Sequence, residues 1–290
     1  MDAVLIAGPT ASGKSSLALQ LAAELDGVIV NTDSMQVYDT LRVLTARPSD
    51  DDLRAAPHRL YGHVPASESY SVGAWSRDVG RLLAEEEGRR RTAIFVGGTG
   101  LYFKALTGGL SEMPDIPDEI RQRWRERLAA EGSQPLHREL ALRDPDIAAR
   151  LKPGDSQRIV RALEVHEASG KSIRHFQETK GKSLLEGPVL RRIVLAPDRA
   201  PLRQRIRARF EAMMDAGAVE EAQALLAMNL PPDLPSMRAI GVREIAAWLG
   251  GDLTRDEAVE RAVIATAQYA KRQMTWFRNQ FGDDWEWKPV

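Results

Sequence analysis

Eight residues near the amino terminus, Gly8-Pro9-Thr10-Ala11-Ser12-Gly13-Lys14-Ser15, fit the pattern G-x-x-x-x-G-K-[ST]. The chemistry of that spacing is anion binding. Backbone N–H groups in a glycine-rich turn, backed by the positive end of a helix, form a concave site for a phosphate chain. Lys14 is expected to reach the distal phosphate oxygens, and the Ser15 hydroxyl a magnesium ion. A glycine-rich turn without a ligand is the plainer alternative; a strand pattern before the turn and a helix pattern after it argue against that.

A phosphate site alone does not say what happens to the phosphate. Nucleotide hydrolases with this loop usually hold magnesium with a carboxylate at the end of another strand. Here the third strand candidate ends Val96-Gly97-Gly98-Thr99-Gly100, with no acid. Asp198 follows a later strand candidate, but Pro197 breaks that strand first and a helix N-cap is the simpler role. The carboxylate on offer is Asp33, in Asn31-Thr32-Asp33-Ser34-Met35-Gln36-Val37-Tyr38 at the end of the second strand. Strand ends share a crevice in an open α/β sheet, so Asp33 is expected beside the loop, able to take a proton from a nucleophile. On this residue alone a turn or cap aspartate fits equally well.

The elements that must position these residues are visible as hydrophobic periodicity. Ala3-Val4-Leu5-Ile6-Ala7 is a short apolar run, the pattern of a strand buried on both faces. Leu17, Leu21 and Leu25 mark a helix after the loop, and residues 27–31, 93–96 and 192–196 repeat the strand pattern. A helical stretch around 79–87 precedes the third strand. Strands alternating with helices predict a parallel α/β sheet. From Pro117 to about Gly170 the pattern is helical, with Ile120, Trp124 and Leu128 on one face before Gly132, and with Asp155 opening and Gly170 closing a further helix. Residues 111–186 therefore read as a helical insertion in a core made of 1–110 and 187–290. The last helix, about 255–281, carries Val259, Val263, Thr266, Ala270, Phe277 and Phe281 on one stripe, and Gln268, Lys271, Arg272, Thr275, Arg278 and Asn279 opposite. Trp276 and Phe277 read as core aromatics.

Composition removes several function classes. The net charge of −1 rules out a whole-protein basic field, so any nucleic-acid surface must be a local patch. With no cysteine there is no disulfide, thiolate nucleophile or cysteine metal site, and the five histidines show no paired metal-ligand spacing. No apolar run is long enough to span a membrane, and no basic leader opens the chain, which makes the cytoplasm the default location. Arg191, Arg192, Arg199, Arg203, Arg205, Arg207 and Arg209 outnumber nearby acids and suggest an anion-binding wall, with Arg209 as a second clamp on the phosphate chain.

Taken in order along the chain, several motifs resemble the tRNA dimethylallyltransferases. They are the loop Gly8–Ser15, the DSMQVY stretch 33–38, Thr45-Ala46 before Arg47-Pro48, GGTGLYFKAL at 97–106, QRIVRALEV at 157–165 and KRQMTWFR at 271–278. Leu44 stands where that family commonly has glycine, and Arg47 replaces its lysine.

The resemblance implies a P-loop NTPase-like parallel sheet flanked by helices, with an inserted all-helical domain. It implies that dimethylallyl diphosphate occupies the loop, with magnesium. The acceptor it implies is the exocyclic amine of the adenosine 3′ to the anticodon, in the anticodon stem-loop of tRNA. Asp33 would accept the amine proton, Thr99 would hydrogen-bond near the reacting atoms, and Lys14 and Arg209 would hold the leaving group. Contacts to tRNA are implied for Asp33, Ser34, Met35, Gln36 and Thr99, for Arg121, Gln157, Arg158, Ile159, Val160 and Arg161, and for Arg238, Gly241, Arg243, Lys271, Arg272, Thr275 and Arg278. A monomer is expected. A P-loop kinase and an RNA-binding NTPase switch are the rival readings.

Overall fold

The run Ala3–Ala7, apolar throughout, is a strand with every residue buried. It is the first of six in the computed structural model of the chain, which describes residues 2–87, 91–179, 181–185 and 187–290. The strands are β1 (Ala3–Ala7), β2 (Gly27–Asn31), β3 (His58–Arg59), β4 (Thr92–Gly97), β5 (Val189–Ala196) and β6 (Glu286–Pro289). They form one sheet in the order β3-β2-β4-β1-β5-β6, and all pairings are parallel. The fold is α/β and P-loop NTPase-like. Because β4 lies between β1 and β2, the carboxyl ends of these three strands are adjacent, and the loops that leave them meet in one crevice.

The helices before the insertion are α1 (Lys14–Glu24), α2 (Asp50–Ala55), α3 (Val72–Glu87) and α4 (Gly100–Thr107). The insertion carries α5 (Asp118–Glu131), α6 (Ser133–Arg143), α7 (Pro145–Ala148), α8 (Ser156–Ser169) and α9 (Ile173–Gln177). After β5 come α10 (Arg199–Asp215), α11 (Ala218–Ala227), α12 (Val242–Leu249) and α13 (Arg255–Gln280). Asp198 holds the N-cap position of α10, although its side chain makes no capping bond.

The chain divides into two compact units, residues 1–107 with 184–290, and residues 108–183. These borders lie at 108 and 183 rather than at the 111 and 186 read from the texture of the sequence. In the larger unit α1 packs Ala18, Leu21 and Ala22 on the sheet through Val4, Ile6, Ile29, Ile94 and Val96. A second cluster there joins α10 (Leu202, Ile206, Phe210) to α13 (Val259, Ala262, Val263, Ala270). The smaller unit is all helical among its described residues. Its core is Trp124 of α5, Leu136 and Leu140 of α6, and Ile159, Val160 and Leu163 of α8, and Gly132 and Gly170 close α5 and α8 with positive φ. Trp124 donates its indole N–H to Glu167 at 2.9 Å, and Arg127 and Arg143 lie over its ring.

Candidate active site

The loop between β1 and α1 turns through two left-handed residues, Ala11 at φ 61° and Gly13 at φ 89°. Gly13 occupies the N-cap position of α1, with no side-chain cap and no acid in the first turn. By contrast, α13 closes its own start with a Thr254–Glu257 capping box. The first N–H groups of α1 are thus left for an anion. Three amides of the loop are already engaged: Gly8 N donates to Gly97 O at 3.3 Å, Thr10 N to Gln273 Oε1 at 3.1 Å and Ser12 N to Pro9 O at 3.3 Å. Lys14 donates to Pro9 O at 3.2 Å, and Ser15 is exposed on the first turn of α1. Lys14 is half-buried. Burial is the largest influence on it and, with the nearby Arg209 charge, pushes its pKa down to about 8 against the opposing pull of Asp33.

Asp33 is fixed from behind. The buried Asn31 side chain accepts from Asp33 N at 2.8 Å and donates to Asp33 O at 2.9 Å. Asp33 Oδ1 accepts from Met35 N at 3.0 Å, an Asx turn, which leaves Oδ2 for the crevice. The turn-forming reading of this residue accounts for Oδ1 alone. Thr99 is tied to the same turn: its Oγ1 accepts from Ser34 N at 2.9 Å, and its own N–H donates to Thr32 O at 3.1 Å. The glycines on either side of it leave room for these close approaches. A β-carbon on Gly97 would lie 2.2 Å from the Thr32 carbonyl, one on Gly98 1.9 Å from Gln273 Nε2, and one on Gly100 2.1 Å from the Trp276 ring.

Gln273 was not singled out by motif reading, yet it joins two of these loops. It accepts from Thr10 N, donates to Gly98 O at 2.9 Å, and is buried. Tyr269, one turn earlier on α13, is in hydrogen-bonding reach of Thr99 and Gln273, and burial and the Asp33 carboxylate hold its phenol well above the ordinary range. Its hydroxyl stays protonated at any working pH. Arg209 reaches from α10 to the Thr10 hydroxyl, and burial lowers its pKa while Asp33 partly restores it. Thr10, Asp33, Ser34, Arg209, Tyr269 and Arg272 line a cavity of about 330 Å³ whose remaining wall is largely apolar.

Other sequence expectations are corrected. Apart from Arg209, the basic run does not form an anion-binding wall. Arg191 pairs with Glu286 and Arg192 with Asp284, Arg203 and Arg207 share Glu260, and Arg205 reaches the carbonyl of Val290. Local charge counting misses such pairs because their acids lie on β6 and α13, far along the chain. Gln36 ties its amide nitrogen to Thr45 O and Ala46 O, both at 2.8 Å, and so braces a loop. Gly241 is buried beneath Leu44. Ile159 and Val160 are core residues of the helical unit, 0% and 6% exposed, and their side chains are unavailable to any partner. Gln157 and Arg158 are exposed on α8, Arg161 is half-buried in an ion pair with Glu164, and Arg121 lies on α5 with its Nε buried. Arg238, Arg243, Lys271, Arg272, Thr275 and Arg278 are exposed.

Comparison with known proteins follows the same lines. A family model described as IPP transferase matches residues 36–280, and one described as isopentenyl transferase matches residues 1–63. A tRNA dimethylallyltransferase of Agrobacterium fabrum is 61% identical over 284 residues, 98% of this chain and 95% of that protein. One from Chelativorans sp. is 60% identical over 288 residues, 99% of each. The full-length tRNA isopentenylpyrophosphate transferase of Bacillus halodurans superposes with a TM-score of 0.69 at 32% identity, covering 99% of this chain and 89% of that one. A eukaryotic dimethylallyltransferase acting on tRNA superposes at 0.81 with 27% identity, covering 99% and 73%. Family-length matches and the shared sheet agree: the chain belongs to the IPP transferase family.

Proposed function

We propose that this chain transfers a dimethylallyl group from dimethylallyl diphosphate to the exocyclic amine of the adenosine 3′ to the anticodon of tRNA. One observation carries the reading. Arg209 and the Asp33 carboxylate line one cavity and the Lys14 ammonium is close enough to feel both charges, while β4 ends in glycines without a water-activating acid. That arrangement suits loss of a diphosphate leaving group more than hydrolysis or phosphoryl transfer.

In the transfer, the allylic C–O bond breaks, a C–N bond forms, and the amine proton passes to Asp33 Oδ2. Negative charge grows on the leaving oxygens, where the α1 N–H groups, Lys14 and Arg209 can stabilise it. Thr99, fixed by Ser34, offers a hydrogen bond near the reacting atoms. The adenine must leave its stack to enter. Arg238 and Arg272 on the cavity lining suit the RNA backbone, and Arg121, Gln157, Arg158 and Arg161 form the candidate RNA face of the helical unit. Magnesium is part of the proposal. Among the described residues no cluster of three or more His, Cys, Asp or Glu side chains could hold a metal. The lone Ser15 hydroxyl fits an ion that takes most of its ligands from diphosphate and water. Bound there, magnesium would neutralise leaving-group charge. Among the described residues no helix is long and apolar enough to cross a membrane, and a cytoplasmic setting goes with a tRNA substrate.

The test is incubation with labelled dimethylallyl diphosphate or labelled ATP, with and without unmodified tRNA. Prenyl label entering the adenosine supports the proposal. Phosphoryl transfer to a small acceptor, or ATP hydrolysis without RNA modification, would replace it with a kinase or a switch.

A further inference from the structure

Arg209 does not line the cavity alone. Ile206, Phe210 and Met213 of the same helix lie beside it there, spaced as one face of α10. On the proposed function above, on which this inference rests, a chain esterified to the clamped diphosphate emerges onto that apolar face. Leu44 and Ile240 continue the wall from other loops.

Leu44 is seated tightly. Its Cδ2 lies 2.6 Å from where a β-carbon on Gly241 would stand, and Phe210 Cε2 lies 3.1 Å from the same point. Gly241 has φ +105°, a conformation in which a side chain is strained, so the space above it belongs to Leu44. The backbone that carries Leu44 is also fastened. Glu221 of α11 accepts from Arg42 N at 2.8 Å and Val43 N at 2.6 Å through Oε1, and from Leu44 N at 3.0 Å through Oε2. Gln36 holds the next two carbonyls, and the Thr45 hydroxyl bonds back to Leu41 O. Three amides on one carboxylate and two carbonyls on one amide leave this segment little freedom to retreat.

We infer that Leu44 is a specificity-determining residue that limits the length of the prenyl chain the site accepts. A wall that cannot yield turns one added methylene into an overpacking cost. Discrimination against a single methylene in an apolar pocket runs to about 10–200-fold in kcat/KM. The longer donor reacts by the same balanced step: its C–O bond breaks, the adenine C–N bond forms, the amine proton goes to Asp33 and diphosphate leaves.

The experiment sets dimethylallyl diphosphate against 3-methylpent-2-enyl diphosphate, which carries one added methylene, in competition for tRNA. The two modified adenosines are counted by mass spectrometry. The native chain should favour the shorter donor, and Leu44→Ala should raise the longer-to-shorter ratio about tenfold or more. Leu44→Val should fall between, and geranyl diphosphate should follow the same order. The ratio is internal to each protein, so a partial loss of folded material cancels. An unchanged ratio in a Leu44→Ala protein that still transfers dimethylallyl would overturn the inference. So would a raised KM for tRNA with the donor ratio fixed, which would put Leu44 on the adenine side. A native chain that transfers neither group would remove the prenyl-transfer reading itself.

Discussion

Titrating Lys14 should titrate the grip on the leaving group. Burial is the main reason its pKa sits near 8 instead of its ordinary 10.5, with Arg209 adding to the depression and Asp33 opposing it. With that value the ammonium fraction falls from about nine-tenths at pH 7 to about one-tenth at pH 9. A bound diphosphate favours the ammonium and raises the pKa again. Binding must therefore take up a proton, about 0.1 per site at pH 7 and about 0.9 at pH 9. If the charged form is the one that binds, Kd for dimethylallyl diphosphate without tRNA should rise about tenfold from pH 7 to pH 9. The donor's terminal phosphate is already ionised over this range, its last pKa being about 6 as for other phosphate monoesters. Calorimetry in buffers of different ionisation enthalpy reads affinity and proton uptake together. Lys14→Arg is the control, since a guanidinium stays charged throughout and its slope should be flat. Equal slopes in the native and arginine proteins, or a flat native curve, would refute the assignment of Lys14 as the titrating clamp.

Three further outcomes follow from the geometry. Asp33→Asn keeps the Oδ1 bond to Met35 N but removes the proton acceptor, so single-turnover transfer at saturating substrates should drop about 10²–10⁴-fold with binding of both substrates retained; a rate within threefold, about the native value, would return Asp33 to a turn-forming role. Gln273→Ala leaves Thr10 N and Gly98 O without their partner, which should cost about 1–3 kcal/mol per unpaired group in urea unfolding and raise KM for the diphosphate; unchanged stability and KM would show that the bridge contributes nothing. Replacing Arg121 and Arg161 together should weaken tRNA binding and make its salt dependence shallower, by a slope of about 0.7–0.9 per lost phosphate contact; an unchanged slope would leave these arginines as solvated or internally paired side chains.

Local patterns carried the site's chemistry but little of its support. β1, β2, β4 and β5 announce themselves as apolar runs, and the loop, Asp33 and Thr99 sit at their ends as the strand-end rule requires. β3 and β6 are edge strands of two and four residues without an apolar pattern, and were missed. Gln273 had a signal that could have been read: it falls on the Val259–Val263–Thr266–Ala270–Phe277 stripe of α13, a polar residue on an apolar face. Its partners, 263 and 175 residues away, had none. The motif points Val160 at RNA, but it neighbours Ile159 and Leu163 on the buried side of α8, where helical periodicity is the better guide.

The Gln273–Thr10 bond also has a consequence for how the protein is made. The loop leaves the ribosome well before its partner on α13, which is 263 residues behind it. At about 5–20 residues per second, the loop waits on the order of tens of seconds for the amide that fixes it. A nascent chain can therefore complete β1 through β5 and still lack an organised phosphate site. Premature termination before α13 should give fragments that neither hold the diphosphate nor waste it, and the enzyme becomes competent only as α13 docks.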